Sequence, residues 1–317
     1  MDSKPVKPSV CAFLQLLGAI VILSFAAIFT KLSERDISAT ATLFDRYVIA
    51  LGILTIGQGL SGFTQKFSTE ASLESNALKP IWELEYQPRD RVQFLGESIF
   101  SFLCTWLWAI SLTKTTVANS NLLHNLTPLF TTIGGAVFLG HTFDRRFLWG
   151  LGIAFVATCG LQWQDWQVNS DYLWGDLLAL FSAFFYGCGV LIREQLRRKF
   201  STLTILFWSC GCRTLITLSI VGLMRDSILP VTLVGWGSIV VLGVMVQIGG
   251  HGLLTQSLKH FSAGFITICL LLDPVFTAIL AWIIFGESLS IWNALAFATI
   301  LGGIYLASTG KGATIPE

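Results

Sequence analysis

An arginine stands in the middle of an apolar run, Leu203 to Met224, and something must compensate it there. On insertion scales a cation at the centre of a membrane helix costs about 2.5–3.5 kcal/mol. Ser209, Arg213 and Thr217 recur at intervals of four and make one polar stripe on a helix. The stripe could receive an anionic substrate group, or Arg213 could be held in a buried ion pair with Asp273, which lies at similar depth in another apolar run. Asp273 precedes Pro274, whose ring and missing N–H break a helix and free carbonyls at midspan, a place for a hinge, a site or both.

Other polar residues fall on shared helix faces. Asn121, His124, Asn125 and Pro128 form a stripe that is too polar for lipid, so it lines a cavity or bonds to another helix. Glu97, Ser101, Thr105 and Trp108 share a second face, and Gln247, His251 and Thr255 a third. Glu97, Asp273, His124 and His251 are candidates for proton coupling, because burial moves such groups toward neutral pH. Arg46 lies about two turns from a helix end, close enough to snorkel to the interface as an anchor, or to line an outer mouth beside Asp45. No GxSxG, HExxH or P-loop is present, so no catalytic set is expected and transport, if any, is driven by gradients. The seven cysteines include no CxxC pair and read as small apolar residues, so no metal and no cofactor are expected.

These residues are embedded in a chain of 317 amino acids that is 53% hydrophobic and 12% charged, with mean hydropathy +0.69. So few charges cannot cover a water-soluble surface, and the apolar excess must face a lipid bilayer. Net charge +1 gives no field to hold nucleic acid. Ten runs are long enough to span: 10–30, 39–60, 92–112, 117–139, 147–163, 172–192, 203–224, 233–254, 261–285 and 291–308. Each is of helix length, and backbone in hydrocarbon must satisfy itself, so the expected class is an all-α integral membrane protein. The first run is too long for a signal peptide's apolar core and is read as an uncleaved helix. Lys4, Lys7, Lys66, Lys79, Arg89, Arg91, Arg145, Arg146, Arg193, Arg197, Arg198, Lys199, Lys259 and Lys311 fall on one side, against Lys31, Arg35, Lys114 and Arg225 on the other. Both termini are therefore expected to be cytoplasmic, with Trp163, Trp166, Trp174, Trp236 and Trp292 as an outer interfacial belt.

A shift of 146 residues aligns Ser111-Leu112 with Ser257-Leu258, Pro128 with Pro274, Phe130 with Phe276 and Gly140 with Gly286. It also carries Ser101 onto Gln247 and Thr105 onto His251. Two halves of five helices follow, and an odd number inverts the second relative to the first. The loop charges agree: Asp144-Arg145-Arg146 is basic, whereas its counterpart Gly286-Glu287-Ser288 is acidic. Many secondary transporters alternate access through such inverted repeats, with substrate near the midplane between them. The expected organisation is a cytoplasmic segment 1–9, a first repeat 10–164 containing a cytoplasmic loop 61–91, a second repeat 172–308 and a tail 309–317.

Leu43-Phe44-Asp45-Arg46-Tyr47, Leu126-Thr127-Pro128-Leu129-Phe130, Leu272-Asp273-Pro274-Val275-Phe276 and Phe285-Gly286-Glu287-Ser288-Leu289 occur in order, with glycine-rich Gly150-Leu151-Gly152 and Leu301-Gly302-Gly303-Ile304-Tyr305. On these the chain resembles an EamA-type member of the drug/metabolite transporter superfamily. The resemblance implies ten transmembrane helices in two inverted five-helix EamA repeats, in the cell (inner or plasma) membrane, and it favours export. Gly140-His141 departs from the usual Gly-Glu pair. The small multidrug branch depends on an acid in its first helix, where this chain has only Gln15, which argues against a polyspecific cation exporter.

The function expected is gradient-driven transport of a small polar metabolite such as an amino acid or related zwitterion. Arg213, with Arg46, would meet its carboxylate, and Asp273 its ammonium group or a proton. Asn121, His124, Asn125, Gln247 and His251, with Ser101, Thr105 and Trp108, would line the cavity, and Pro128 and Pro274 would bend. The competing readings are a phosphorylated or nucleotide-linked substrate, and a non-transporting scaffold or sensor acting through 61–91. A homodimer is a candidate assembly.

Overall fold

The computed structural model describes residues 10–67, 81, 84–162, 170–285 and 291–314. Among these the chain is helical without strands; one isolated bridge joins Phe261 to Thr314. The first half comprises α1 (Val10–Ser24), α2 (Ala26–Ser33), α3 (Ala39–Phe67), α4 (Pro88–Lys114), α5 (Val117–His124), α6 (Thr127–Leu139) and α7 (Arg145–Gln162). The second comprises α8 (Leu173–Arg197), α9 (Thr202–Met224), α10 (Leu233–Val241), a π-helical segment Leu242–Gly250, α11 (His251–Ser257), α12 (Ala263–Cys269), α13 (Asp273–Phe285) and α14 (Ile291–Ser308).

Nine stretches among the described residues are long and apolar enough to cross a membrane. The expected fifth span corresponds to α7, whose leading Arg145 and Arg146 lower its apolarity; it packs lengthwise on α14. The outer surface is apolar as lipid requires, with Leu14, Phe138, Trp149, Leu215 and Leu301 all exposed. Trp174, Trp236 and Trp292 are exposed near helix starts, whereas Trp163 and Trp166 lie outside the described residues.

Local chemistry sets the helix ends. Ser201, Thr232 and Ser262 accept bonds from the backbone N–H of Thr204, Gly235 and Phe265, satisfying donors that an N-terminus leaves open. Gly140 ends α6 at φ 67, a left-handed conformation that glycine adopts without strain. Both ends of the segment expected as a loop, 61–91, are helical. α3 runs on to Phe67 and α4 begins at Pro88, where the Gln87 N–H bonds to Asp90 Oδ2 at 3.2 Å. Residues 68–80 and 82–83 lie outside the described residues, as do 1–9, 163–169, 286–290 and 315–317, and with them the Gly286-Glu287-Ser288-Leu289 segment.

The two halves interleave. α4 packs on α8 and α1 on α11, while α3 meets α9, α6 meets α12 and α7 meets α14, so equivalent elements face one another across the centre. At the last contact a Cβ on Gly303 would lie 2.6 Å from Ala154 N, and one on Gly150 2.5 Å from Gly303 O. Only glycine permits this approach. Ala298 and Gly302, a second small pair on α14, are exposed, and Gly302 has nothing within 4 Å of its Cβ position. The helix broken between α5 and α6 and that broken between α12 and α13 are interrupted just before Pro128 and Pro274, which the 146-residue shift superposes.

Candidate functional site

Glu97, nine residues into α4, is fully buried at the meeting of α4, α8 and α9. Its Oε1 accepts from Arg213 Nη2 at 2.9 Å, Arg193 Nε at 3.0 Å and Ser101 Oγ at 2.9 Å, and pairs also with Arg193 Nη2. Ser209 Oγ donates to Oε2 at 2.5 Å. Arg193 and Arg213 are buried as well, at 3% and 4% exposure, so this is an ion cluster sealed from solvent. The Arg213 guanidinium also lies 5.4 Å from the centre of the Tyr47 ring, an aromatic face that stabilises a desolvated cation. Arg213 Nε and Arg193 Nη1 are buried without a hydrogen-bond partner among the described residues.

The pairing differs from the sequence expectation in two respects. Arg213 meets Glu97 rather than Asp273, whose Oδ1 is buried without a partner. Arg46 does not snorkel: it is 6% exposed, and its Nε donates to Gln247 Oε1 at 3.0 Å. Gln247 in turn lies 3.6 Å from Cys210 Sγ. It belongs to the π-helical segment, a widened turn of the kind found at functional sites. Gly243 in that segment would place a Cβ 3.2 Å from Arg46 O, so the close approach of α3 depends on glycine. Thr217 and Thr105 turn their hydroxyls back on their own helices, to Arg213 O and Ser101 O, and make no cross-helix bond through them.

A second polar group lies around the broken helix α5–α6. His124 Nδ1 is 2.9 Å from Ser182 Oγ, and its ring lies beside those of Trp108 and Tyr186, at 6.5 and 5.7 Å. Trp108 Nε1 donates to Asn121 Oδ1 at 3.3 Å. Asn125 Nδ2 and His251 Nδ1 are buried without partners. The two groups are neighbours: His251 is within electrostatic reach of Arg46, Arg193 and Arg213, and Tyr186 of Arg193, Arg213 and Asp273. Four buried polar atoms, on Asn125, Arg213, His251 and Asp273, thus come from both halves and lack partners among the described residues. Buried polar groups are ordinarily bonded, so such a set is where a polar ligand or water would sit.

Arg193 is the residue that sequence reasoning misplaced. By its apolar runs the sequence places it among the loop charges, since the sixth run stops at Ile192, yet α8 continues to Arg197. The available signal was Gly189, one turn earlier, where a Cβ would lie 3.0 Å from Ser101 Oγ and which brings α4 close. Tyr47, Ser182 and Tyr186 were likewise missed; on apolar faces, tyrosine and serine read as core. Glu194, next to Arg193, forms a separate cluster at the same end of the bundle: its Oε1 lies 3.0 Å from His141 Nε2 and 3.2 Å from Arg198 Nη2, and its Oε2 caps α12 through Ala263 N. His141, at the departure from the Gly-Glu pattern, therefore reaches across to the other half. No group of three or more His, Cys, Asp or Glu among the described residues could hold a metal ion.

Comparisons with known proteins agree with this architecture. The family model described as "EamA-like transporter family" matches residues 10–162 and again 173–309, one match per half. The chain is 26% identical over 205 residues to the "Pseudopaline exporter CntI" of two Pseudomonas aeruginosa strains, covering 65% of this chain and 68% of each relative. It is 22% identical over 218 residues to an "Uncharacterized transporter" of Archaeoglobus fulgidus, covering 67% of this chain and 75% of that one. A solved chain described as "Crystal structure of protein" superposes with a TM-score of 0.74 over 94% of this chain and 97% of its own; at 18% identity that likeness establishes the fold. With a family match on each interleaved half, this multi-pass membrane protein belongs to the EamA-like transporter family, and is a transporter rather than an enzyme.

Proposed function

We propose that the chain is a gradient-driven exporter of a small polar metabolite, an amino acid or related zwitterion, working by alternating access between its two halves. The observation that carries this is the buried polar set drawn from both halves that lacks partners among the described residues: guanidinium N–H on Arg193 and Arg213, carboxylate oxygen on Asp273, and side-chain nitrogens on Asn125 and His251. A zwitterion presents a carboxylate to the first, an ammonium to the second and polar edges to the rest. Arg46 and Gln247 would shape the far wall, with Ser101, Thr105, Trp108, Asn121 and His124 around it, and the breaks before Pro128 and Pro274 would let the helices bend. The name of the Pseudomonas relatives supports the export direction. Asp273, His124, His251 and Glu97 remain the groups to test for proton coupling.

Phosphorylated metabolites are the second reading, favoured by one observation: Arg193 brings to three, with Arg46 and Arg213, the buried guanidiniums among the described residues. Counterflow in proteoliposomes separates the two. We expect saturable accumulation of labelled amino acids, reduced at least tenfold by Arg213→Ala and by Asp273→Asn. Accumulation of sugar phosphates that is insensitive to Asp273→Asn would instead select the second reading, and no accumulation of either would overturn both.

A further inference from the structure

Glu97 belongs to the first half, and both of its guanidinium partners belong to the second. The cluster is thus a tie across the surfaces that must part when halves alternate. Its depth gives it a side. Glu97 is nine residues from the start of α4, about 14 Å along the axis. Arg193 is four residues from the end of α8, whereas Arg213 is at the middle of α9. The tie therefore closes the bundle between its centre and the face at which α3 ends and α4 begins.

The tie is short of negative charge. One carboxylate faces two guanidiniums, and neither Asp45 nor Asp273 makes an ion pair with them among the described residues. Glu97 Oε1 already takes donors from two arginines and a serine, while Arg193 Nη1 and Arg213 Nε, both on nearly inaccessible side chains, have no partner. What would complete this arrangement is a second carboxylate. With two, each guanidinium could take its own partner in the forked geometry that arginine prefers.

Resting on the transport reading, we propose that Glu97 is an internal stand-in for a substrate carboxylate: a free carboxylate on the substrate takes one guanidinium from Glu97, and loss of that bond loosens the tie between the halves. The substrate class is accordingly a carboxylic acid whose carboxylate is unblocked. Glu97 both competes with the substrate and reports its arrival, so removing its charge should tighten binding and slow transport.

The test uses full-length protein in detergent, with Kd read by calorimetry for L-glutamate, glutarate and L-glutamate dimethyl ester, beside counterflow in liposomes. Both free acids should bind and the diester should not. Glu97→Gln should bind the acids about tenfold more tightly while exchanging them at least tenfold more slowly, and Glu97→Asp should fall between. A merely structural Glu97 would give weaker binding in step with lower stability. Should Glu97→Gln not fold, Ser209→Ala keeps every charge and removes the donor to Oε2; it should tighten binding about threefold. Unchanged or weaker binding in these variants, or diester binding equal to that of the acids, overturns the proposal while leaving transport standing. No binding by any probe, with no counterflow, overturns the zwitterion reading and this proposal together.

Discussion

Removing the Glu97 side chain would strand two buried guanidiniums, whereas removing Arg213 leaves Glu97 still paired with Arg193. Breaking a buried ion pair by deleting one partner typically costs about 3–5 kcal/mol, because the remaining charge stays desolvated. Glu97→Ala should therefore destabilise the folded protein by about that much, and Arg213→Ala by clearly less, in denaturation of the detergent-solubilised protein. Equal losses would mean that Arg193 does not share the carboxylate. At this scale the sequence was partly legible. A lone cation in an apolar run cannot be overlooked, so Arg213 was found; Arg193 sits beside Glu194 and two further arginines and looked like solvated charge.

Helix α7 and helix α14 meet through glycine on both sides, with backbone atoms where a side chain would go. Backbone cannot step aside as a rotamer can. Gly303→Val should therefore cost about 3 kcal/mol, the upper end of ordinary overpacking, and appear as a lower melting temperature and loss of monodispersity. Gly302→Val, one residue away with open space around it, should leave both nearly unchanged. If the two substitutions behaved alike, the α7–α14 contact would not be as close as described. Ala298 with Gly302 and Gly303 with Ala307 are both small pairs at helical spacing along α14, and their period alone does not separate them. Which face meets α7 is settled by how α14 is rotated. The same limit applies to the π-helical segment around Gln247, which no residue pattern announces.

Across the whole molecule, the halves are joined at both ends as well as at the centre. At the end opposite the start of α4, Asp36 of the first half accepts from Thr232 of the second, from Oγ1 at 2.5 Å and N at 2.9 Å. The Thr232 hydroxyl, then its backbone N–H, hold the Asp36 carboxyl below its ordinary value of 3.8. A carboxyl depressed in the folded state stabilises above its unfolded pKa and loses that contribution as pH falls through the folded one. The tie should thus weaken only below about pH 4, and Thr232→Val should lower the melting temperature above that pH while flattening its fall below it, as read from melting temperature against pH. Identical acid limbs would show that Thr232 does not act on Asp36. The membrane class, the helices, the repeat and the proline breaks are legible in the sequence, because they follow from composition and period along one chain. That Arg213 meets Glu97 instead of Asp273, and Arg46 meets Gln247 instead of the interface, emerges only from the packed bundle. Periodicity fixes the face on which a residue stands; its partner depends on the depth and rotation of a different helix, which all the packing contacts of the bundle set together.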